Sequence, residues 1–305
     1  METWVLITIS AAFLQNIRST LQKHLKDKLG TSGATFVRFG FGIPFALAFL
    51  ALFTYFGSYQ LPSLNAEFAF WVVIAAIAQI IAQALLVHMF SFRNFAVGSA
   101  YSRTEPMQAA LFGLIFLSEK VSFAVLGAIA ISVFGVMLIS VARTEITPRS
   151  LVISIFSKTS LIGLSSGTIF GVAAVAYRAA SLSLAPSLDE PNFIIQAAVT
   201  LSVAIILQSV IMITWIYFKD REQLPKIRAA WKISLIVGFV GASASFGWFM
   251  AMTLQQAAVV KALAQIEMIF AFISSAFIFK EKINRYEIAG CALIVCGILA
   301  LIFGS

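Results

Sequence analysis

Apolar runs of about 20 residues, each closed by a polar cluster, recur along this whole chain, and that length is what an α-helix needs to cross a bilayer. Of its 305 residues, 60% are hydrophobic and 11% charged, where a soluble domain has roughly 25% charged. The chain is therefore made for lipid, and the question is how many spans it has. Ten helices are expected, over 3–22, 33–56, 67–90, 95–117, 121–142, 159–183, 193–217, 231–253, 257–279 and 286–303. The opening METWVLITIS has no basic segment and no small-residue cleavage site, so it reads as a first span. Most joins are short, such as SEKV at 118–121. RTEITPRSLVISIFSK at 143–158 and KDREQLPKIRAA at 219–230 are longer and more polar. The first of these falls at mid-chain and separates residues 1–142 from 159–305.

The two parts are related. Sliding the chain by 162 residues lays spans four and five on spans nine and ten without a gap. Ala96, Val97 and Ala100 meet Ala258, Val259 and Ala262; Glu105 meets Glu267; Glu119-Lys120 meets Glu281-Lys282; Gly135 meets Gly297. Small-residue matches are common between membrane helices, but a mid-span glutamate and a loop Glu-Lys in register twice are not. Two homologous five-helix halves follow. Because five is odd, they must be inverted relative to each other, an architecture used by transporters.

Basic residues give an orientation. Of the 21 Lys and Arg, fourteen fall in odd-numbered loops: Lys23, Lys26, Lys28, Arg93, Arg143, Arg149, Lys158, Lys219, Arg221, Lys226, Arg228, Lys280, Lys282 and Arg285. Lys120 alone lies in an even loop. The positive-inside rule then puts odd loops in the cytoplasm and both termini outside. This bias accounts for most of the net charge of +8 without nucleic acid.

The run from Glu105-Pro106 through Ser118-Glu119-Lys120 to Gly127 and Gly135, with its echo from Glu267 to Gly297, resembles EamA-type domains of the drug/metabolite transporter superfamily. So does Arg38 in TFVRFGFG. The resemblance covers nearly the whole chain as two repeats. It implies a ten-helix carrier for small organic metabolites or drug-like solutes, working by alternating access without a bound cofactor, in the cell membrane, expected to be a bacterial inner membrane. It also implies cytoplasmic termini, opposite to the charge bias. The family's first-span Trp-Gly pair is absent from ISAAFLQNIRST, and Met268 stands where the first repeat has Pro106.

Charges retained in hydrocarbon face a cavity or a partner, so the ionisable residues at depth are the candidate site. The acids there are Glu105 and Glu267; the cations are Arg18, Arg38, Arg103, Arg178 and Lys261. Tyr101, Glu105 and Gln108 would share one face of a continuous fourth helix, with Arg103 nearly opposite. Gln79 and Gln83 lie one turn apart, Gln15, Arg18 and Gln22 form a further stripe, and Gln265 neighbours Glu267. Glu105 is expected either to bridge to Arg18 or Arg38 or to act as a protonatable, substrate-contacting group. Pro106 leaves the Ser102 carbonyl without its helical donor, giving a kink or a tolerated proline. Arg18, Arg38 and Arg103 either line a common vestibule for an anionic or zwitterionic solute or, for the terminal ones, snorkel to the headgroups. His88 lies near a helix end. Cys291 and Cys296, five apart on one helix, have Cα atoms about 8–9 Å apart, too far for an undistorted disulfide.

Other classes are weaker. GLSSG at 163–167 fits G-x-S-x-G and nominates Ser165, but the motif needs a strand-to-helix elbow and a positioned histidine. Neither a metal-ligand cluster nor a nucleotide fingerprint occurs, so no cofactor, metal or primary pump is indicated. A lipid scramblase or a non-transporting membrane subunit is the alternative to a carrier. Single-cysteine labelling at Ser58 and Ser157 in a cysteine-free background tests the orientation. Ser58 is expected to label from outside and Ser157 only after permeabilisation; the reverse result inverts the topology.

Overall fold

A computed structural model describes residues 2–26, 28–89, 101–142, 158–273 and 285–304. The 143–157 join, Ala96 to Ala100, the end of the ninth span and Glu281-Lys282 lie outside the described residues. The helices are α1 (Thr3–Lys26), α2 (Thr31–Gly40), α3 (Ile43–Tyr55), α4 (Ala66–Met89), α5 (Glu105–Leu117), α6 (Phe123–Ala142), α7 (Lys158–Ser183), α8 (Phe193–Lys219), α9 (Gln223–Ala229), α10 (Trp231–Leu254), α11 (Ala257–Leu263), α12 (Ile266–Ile273) and α13 (Arg285–Gly304). No strand occurs among the described residues.

Six described stretches are long and apolar enough to cross a membrane: Thr31–Tyr55, Ala66–Met89, Lys158–Ser187, Phe193–Lys219, Trp231–Leu254 and Arg285–Ile302. The helix α1 falls short because Gln15, Asn16 and Arg18 interrupt its apolar sequence. On α5, Leu111, Leu114, Ile115 and Phe116 are 50–58% exposed, an apolar face of the kind lipid accepts.

Three expected spans are interrupted. The second breaks between α2 and α3, where Gly42 donates from its N–H to the Phe39 carbonyl at 2.9 Å. Pro44 cannot donate to the Gly40 carbonyl, so the regular helix cannot run through. The fourth breaks at Arg103-Thr104 and the ninth at Ala264-Gln265. The expected face of Tyr101, Glu105 and Gln108, which assumed one continuous helix, is corrected accordingly. The join at 219–230 is partly helical, as α9.

Two compact units emerge, Met1–Ile80 with Ala176–Gln255 and Ile81–Val175 with Gln256–Ser305. In the first, α1 lies along α10, where a Cβ on Gly247 would come 2.9 Å from Ala11 Cβ. Helices α2 and α3 pack against α8 and α10. Phe246 stacks on Phe49 with centroids 5.4 Å apart, and Phe239 meets Phe45 edge-on at 5.1 Å. Loops of like parity meet. The Gly30 N–H donates to Gln223 Oε1 at 2.8 Å and the Ser32 hydroxyl to Asp220, joining loops one and seven. The Ser63 N–H donates to Ser187 Oγ at 3.1 Å and Asn65 Nδ2 to the Ser183 carbonyl at 2.7 Å, joining loops two and six.

In the second unit α6 lies against α13 and α5 against α11. A Cβ on Gly135 would sit 2.7 Å from the Gly290 carbonyl oxygen, and one on Gly290 2.6 Å from the Gly135 carbonyl oxygen. The two backbones therefore touch without side chains between them, as small residues permit in membranes. Gly127, expected to serve the same packing, has nothing within 4 Å of its would-be Cβ. Both cysteines are free.

Gly290→Ala must push backbone from backbone and is expected to lower stability by about 1–3 kcal/mol. Gly127→Ala meets nothing and should be neutral or stabilising by up to about 1 kcal/mol. Thermal unfolding of the purified protein in detergent reads both; equal effects would refute the close approach.

Candidate transport site

The second unit gathers the charged residues of both repeats at two helix breaks. In the first repeat Pro106 cannot donate to the Ser102 carbonyl, and the chain tightens, with the Thr104 N–H on the Tyr101 carbonyl at 3.2 Å. In the second, with Met268 in place of proline, the same tightening occurs. Gln265 donates to Ala262 at 3.1 Å, Glu267 to Ala264 at 3.0 Å and Met268 to Gln265 at 2.9 Å. These three-residue hydrogen bonds are the 3₁₀ geometry that marks a break in a helix. Each break puts its glutamate in the first turn of the following helix, where the helix dipole favours a carboxylate.

At these breaks the repeats exchange charges. Arg103 Nη1 of the first repeat donates to Glu267 Oε2 of the second at 3.2 Å. Lys261 Nζ of the second lies 2.9 Å from Glu105 Oε1 of the first. The Glu105 contact is close enough for an ion pair, yet Oε1 receives no well-directed hydrogen bond, so the attraction there is mainly coulombic. Gln265, the counterpart of Arg103, donates from Nε2 to the Arg103 carbonyl at 3.2 Å. The side chains of Glu267, Lys261 and Glu105 are 8%, 17% and 19% exposed. The expected bridge from Glu105 to Arg18 or Arg38 is therefore corrected: the partner is Lys261, on α11.

Around the breaks, α7 comes close because of its glycines. A Cβ on Gly167 would lie 2.7 Å from the Ser102 carbonyl oxygen, and one on Gly171 3.2 Å from the Ala109 nitrogen. The Ser102 carbonyl thus faces α7. Gln108 donates from Nε2 to Thr104 Oγ1 at 3.1 Å. The side-chain oxygens of Gln108 and Gln265 are buried acceptors that meet no donor among the described residues. Tyr101 and Gln83 are buried in the same unit.

The first unit holds the remaining candidates. Gln15 Oε1 accepts from Trp248 Nε1 at 3.0 Å, and Gln22 Nε2 donates to the Ala34 carbonyl at 2.9 Å. With buried Arg18 between them, the expected stripe on α1 is present, turned toward α10 and α2. Gln79 Oε1 accepts from the Tyr177 hydroxyl at 2.9 Å and from Gln208 Nε2 at 2.7 Å; Gln208 Nε2 also lies 3.0 Å from the Tyr177 oxygen. Sequence reasoning missed Tyr177 and Gln208. The second of two glutamines in the seventh apolar span, Gln208 after Gln196, was the available signal. Arg178 is spent on the end of α10, donating to the carbonyls of Met252, Thr253 and Gln255, the last at 2.7 Å. His88 is exposed, and Ser165 sits inside α7 with helix on both sides, so the elbow its motif requires is missing.

A polytopic helical chain whose charges at depth sit on paired helix breaks is a multi-pass membrane transporter by class. The sequence pattern of the EamA-like transporter family matches residues 2–141 and again 157–303. The chain belongs to that family, within the drug/metabolite transporter superfamily. Comparison with curated protein sequences gives no significant match. Among solved structures, one described only as the crystal structure of a protein superposes with a TM-score of 0.73 at 15% identity, over 99% of this chain and 96% of that one. At that identity the likeness speaks for the fold alone.

Arg103→Gln and Glu267→Gln are each expected to lower stability by about 1–3 kcal/mol, less than for a fully buried pair because Arg103 is 28% exposed. The double substitution should recover about 1 kcal/mol of the summed loss. Strict additivity in unfolding measurements would dissolve the pair.

Proposed function

We propose that the protein is a secondary-active carrier that moves a small organic metabolite or drug-like solute across the cell membrane by alternating access. Residues 1–142 and 159–305 form its two inverted five-helix repeats, ten spans in all, with both termini outside as the basic residues indicate. The observation that carries this reading is the exchange of charges between repeats, Arg103 with Glu267 and Glu105 with Lys261. A pair that joins two repeats opposes their relative movement while it is closed. Losing it becomes affordable only when another charge takes the partner's place.

A proton on Glu105 is such a substitute. It neutralises the carboxylate, releases Lys261 and lets α11 move relative to α5, coupling a proton gradient to the conformational step. Tyr101, Gln83 and Gln265 then stand beside the moving pair as solute contacts. The meeting of like-parity loops within the first unit is what a chain with odd loops on one face and even loops on the other requires.

Proteoliposomes loaded in turn with labelled amino acids, nucleobases, amines and organic acids test the reading under an imposed proton gradient. Gradient-driven uptake of one class is expected. Glu105→Gln should abolish accumulation yet retain exchange of solute for solute, because a neutral residue cannot couple to protons. Full accumulation by Glu105→Gln would remove that carboxylate from the mechanism, and no movement of any class would remove the carrier reading.

A further inference from the structure

From Lys219 to Lys232 the chain carries five cations, Lys219, Arg221, Lys226, Arg228 and Lys232, against two acids, Asp220 and Glu222. Lys219 closes one membrane-length stretch, Phe193–Lys219, and Lys232 is the second residue of another, Trp231–Leu254. Helix α8 packs on α10 across this short join, so residues 215–232 lie together at one end of both.

The local fold turns the cations outward. Helix α9 buries Gln223 and Ile227, one turn apart, and so leaves Lys226 and Arg228 on its exposed side. Gln223 is fixed to loop one by the Gly30 N–H at 2.8 Å, and it donates to Asp220, which also receives the Ser32 hydroxyl. Asp220 is thereby occupied within the fold. All five cations are exposed, and among the described residues none of them is in an ion pair. Arg221 is folded back on α8, donating from Nε to the Tyr217 carbonyl at 2.5 Å with its guanidinium 4.2 Å from the Tyr217 ring centre.

Aromatic rings lie among these charges. Trp215, Tyr217, Phe218 and Trp231 are each half exposed or more, and Lys232 Nζ is 5.9 Å from the Trp231 ring centre. Exposed tryptophan and tyrosine at the ends of apolar spans are the composition of a membrane–water interface, where the rings sit at headgroup depth. Cations interleaved with such rings fit a surface that offers negative charge and a hydrocarbon boundary together, which a soluble acidic protein does not.

We propose that residues 215–232 form a binding surface for anionic phospholipid, with headgroup phosphates held by Lys226, Arg228 and Lys232 and the rings seated beside them. Each lysine or arginine near a negatively charged membrane adds to the attraction, which fades over a Debye length, so cations held against the interface count most. Lipid binding of this kind needs only that α8 and α10 cross the membrane, whether or not the protein carries a solute.

Tryptophan quenching tests it. The purified full-length protein is reconstituted into vesicles of phosphatidylcholine with a fixed minor fraction of phosphatidylglycerol. Bromine is carried either by the phosphatidylglycerol or by an equal amount of the phosphatidylcholine. Brominated phosphatidylglycerol is expected to quench more, and the excess should shrink as salt is raised. Trp215→Phe with Trp231→Phe should lose that excess, which assigns it to this end of the spans. Lys226→Gln with Arg228→Gln should lower the preference for phosphatidylglycerol about tenfold or more. If that variant does not fold, Lys219→Gln with Lys232→Gln should show the same loss. Equal quenching by the two brominated lipids, an excess kept without the two tryptophans, or an excess unchanged in the folded charge variants overturns the proposal. So does abolition of the excess by hexaglutamate or inorganic phosphate at matched ionic strength, which would make this a surface for soluble anions.

Discussion

A carboxylate in the middle of a bilayer must find a positive partner, and the partner cannot come from its own stretch of helix. Arg103 and Glu105 are two residues apart, a spacing at which helical side chains do not face each other. Lys261 and Glu267 are six apart, nearly two turns. Each acid is met by a cation of the other repeat, at 3.2 Å for Glu267 and 2.9 Å for Glu105. The helix breaks serve the same need, since they place both glutamates at helix starts and bring α5 against α11. A duplicated element carrying one acid and one cation that cannot meet locally is satisfied by pairing with its own copy.

That logic extends to the compact units, which do not follow the sequence halves. The second unit joins α5 and α6 of the first repeat to α11, α12 and α13 of the second, and α6 contacts α13 through Gly135, Gly290 and Gly297. The first unit joins α1, α2 and α3 to α8 and α10. The second span of each half, α2 with α3 and α8, falls in the first unit, and the fourth and fifth spans of each half, so far as they are described, fall in the second. At the helix breaks of the second unit Arg103 meets Glu267 and Lys261 meets Glu105, while Arg18 and Arg38 are buried in the first unit.

Hydropathy and the 162-residue register made much of this legible. Long apolar runs marked the six described stretches long enough to cross a membrane, and the matched glutamates marked the two helix breaks and their ion pairs. Two things were hidden. Apolar periodicity reports depth in the membrane and not direction around the bundle, so Arg18 and Arg38 were the expected partners of Glu105 and Lys261 was not. The break at Ala264-Gln265 has no proline to announce it, because Met268 has an N–H and simply donates to Gln265 instead. Pro44 and Gly42 did announce the break in the second span, but an uninterrupted apolar run masked them. Tyr177 and Gln208 were two among several polar residues of apolar helices, and the network they form with Gln79 depends on three spans meeting.

Stability alone is a poor reason for such a centre. Buried ion pairs add little over well-packed apolar side chains of similar volume, because desolvating both charges consumes most of their attraction. In a helical membrane protein that comparison is harsher, as lipid offers charges nothing in return. A leucine at each of Arg103, Glu105, Lys261 and Glu267 would fill space at the breaks with no charge to desolvate. What leucines would not provide is a contact whose strength depends on the charge of its partners. An attraction of this kind, strong while both partners are charged and replaceable by another charge, is the contact on which the proposed alternating-access carrier would turn.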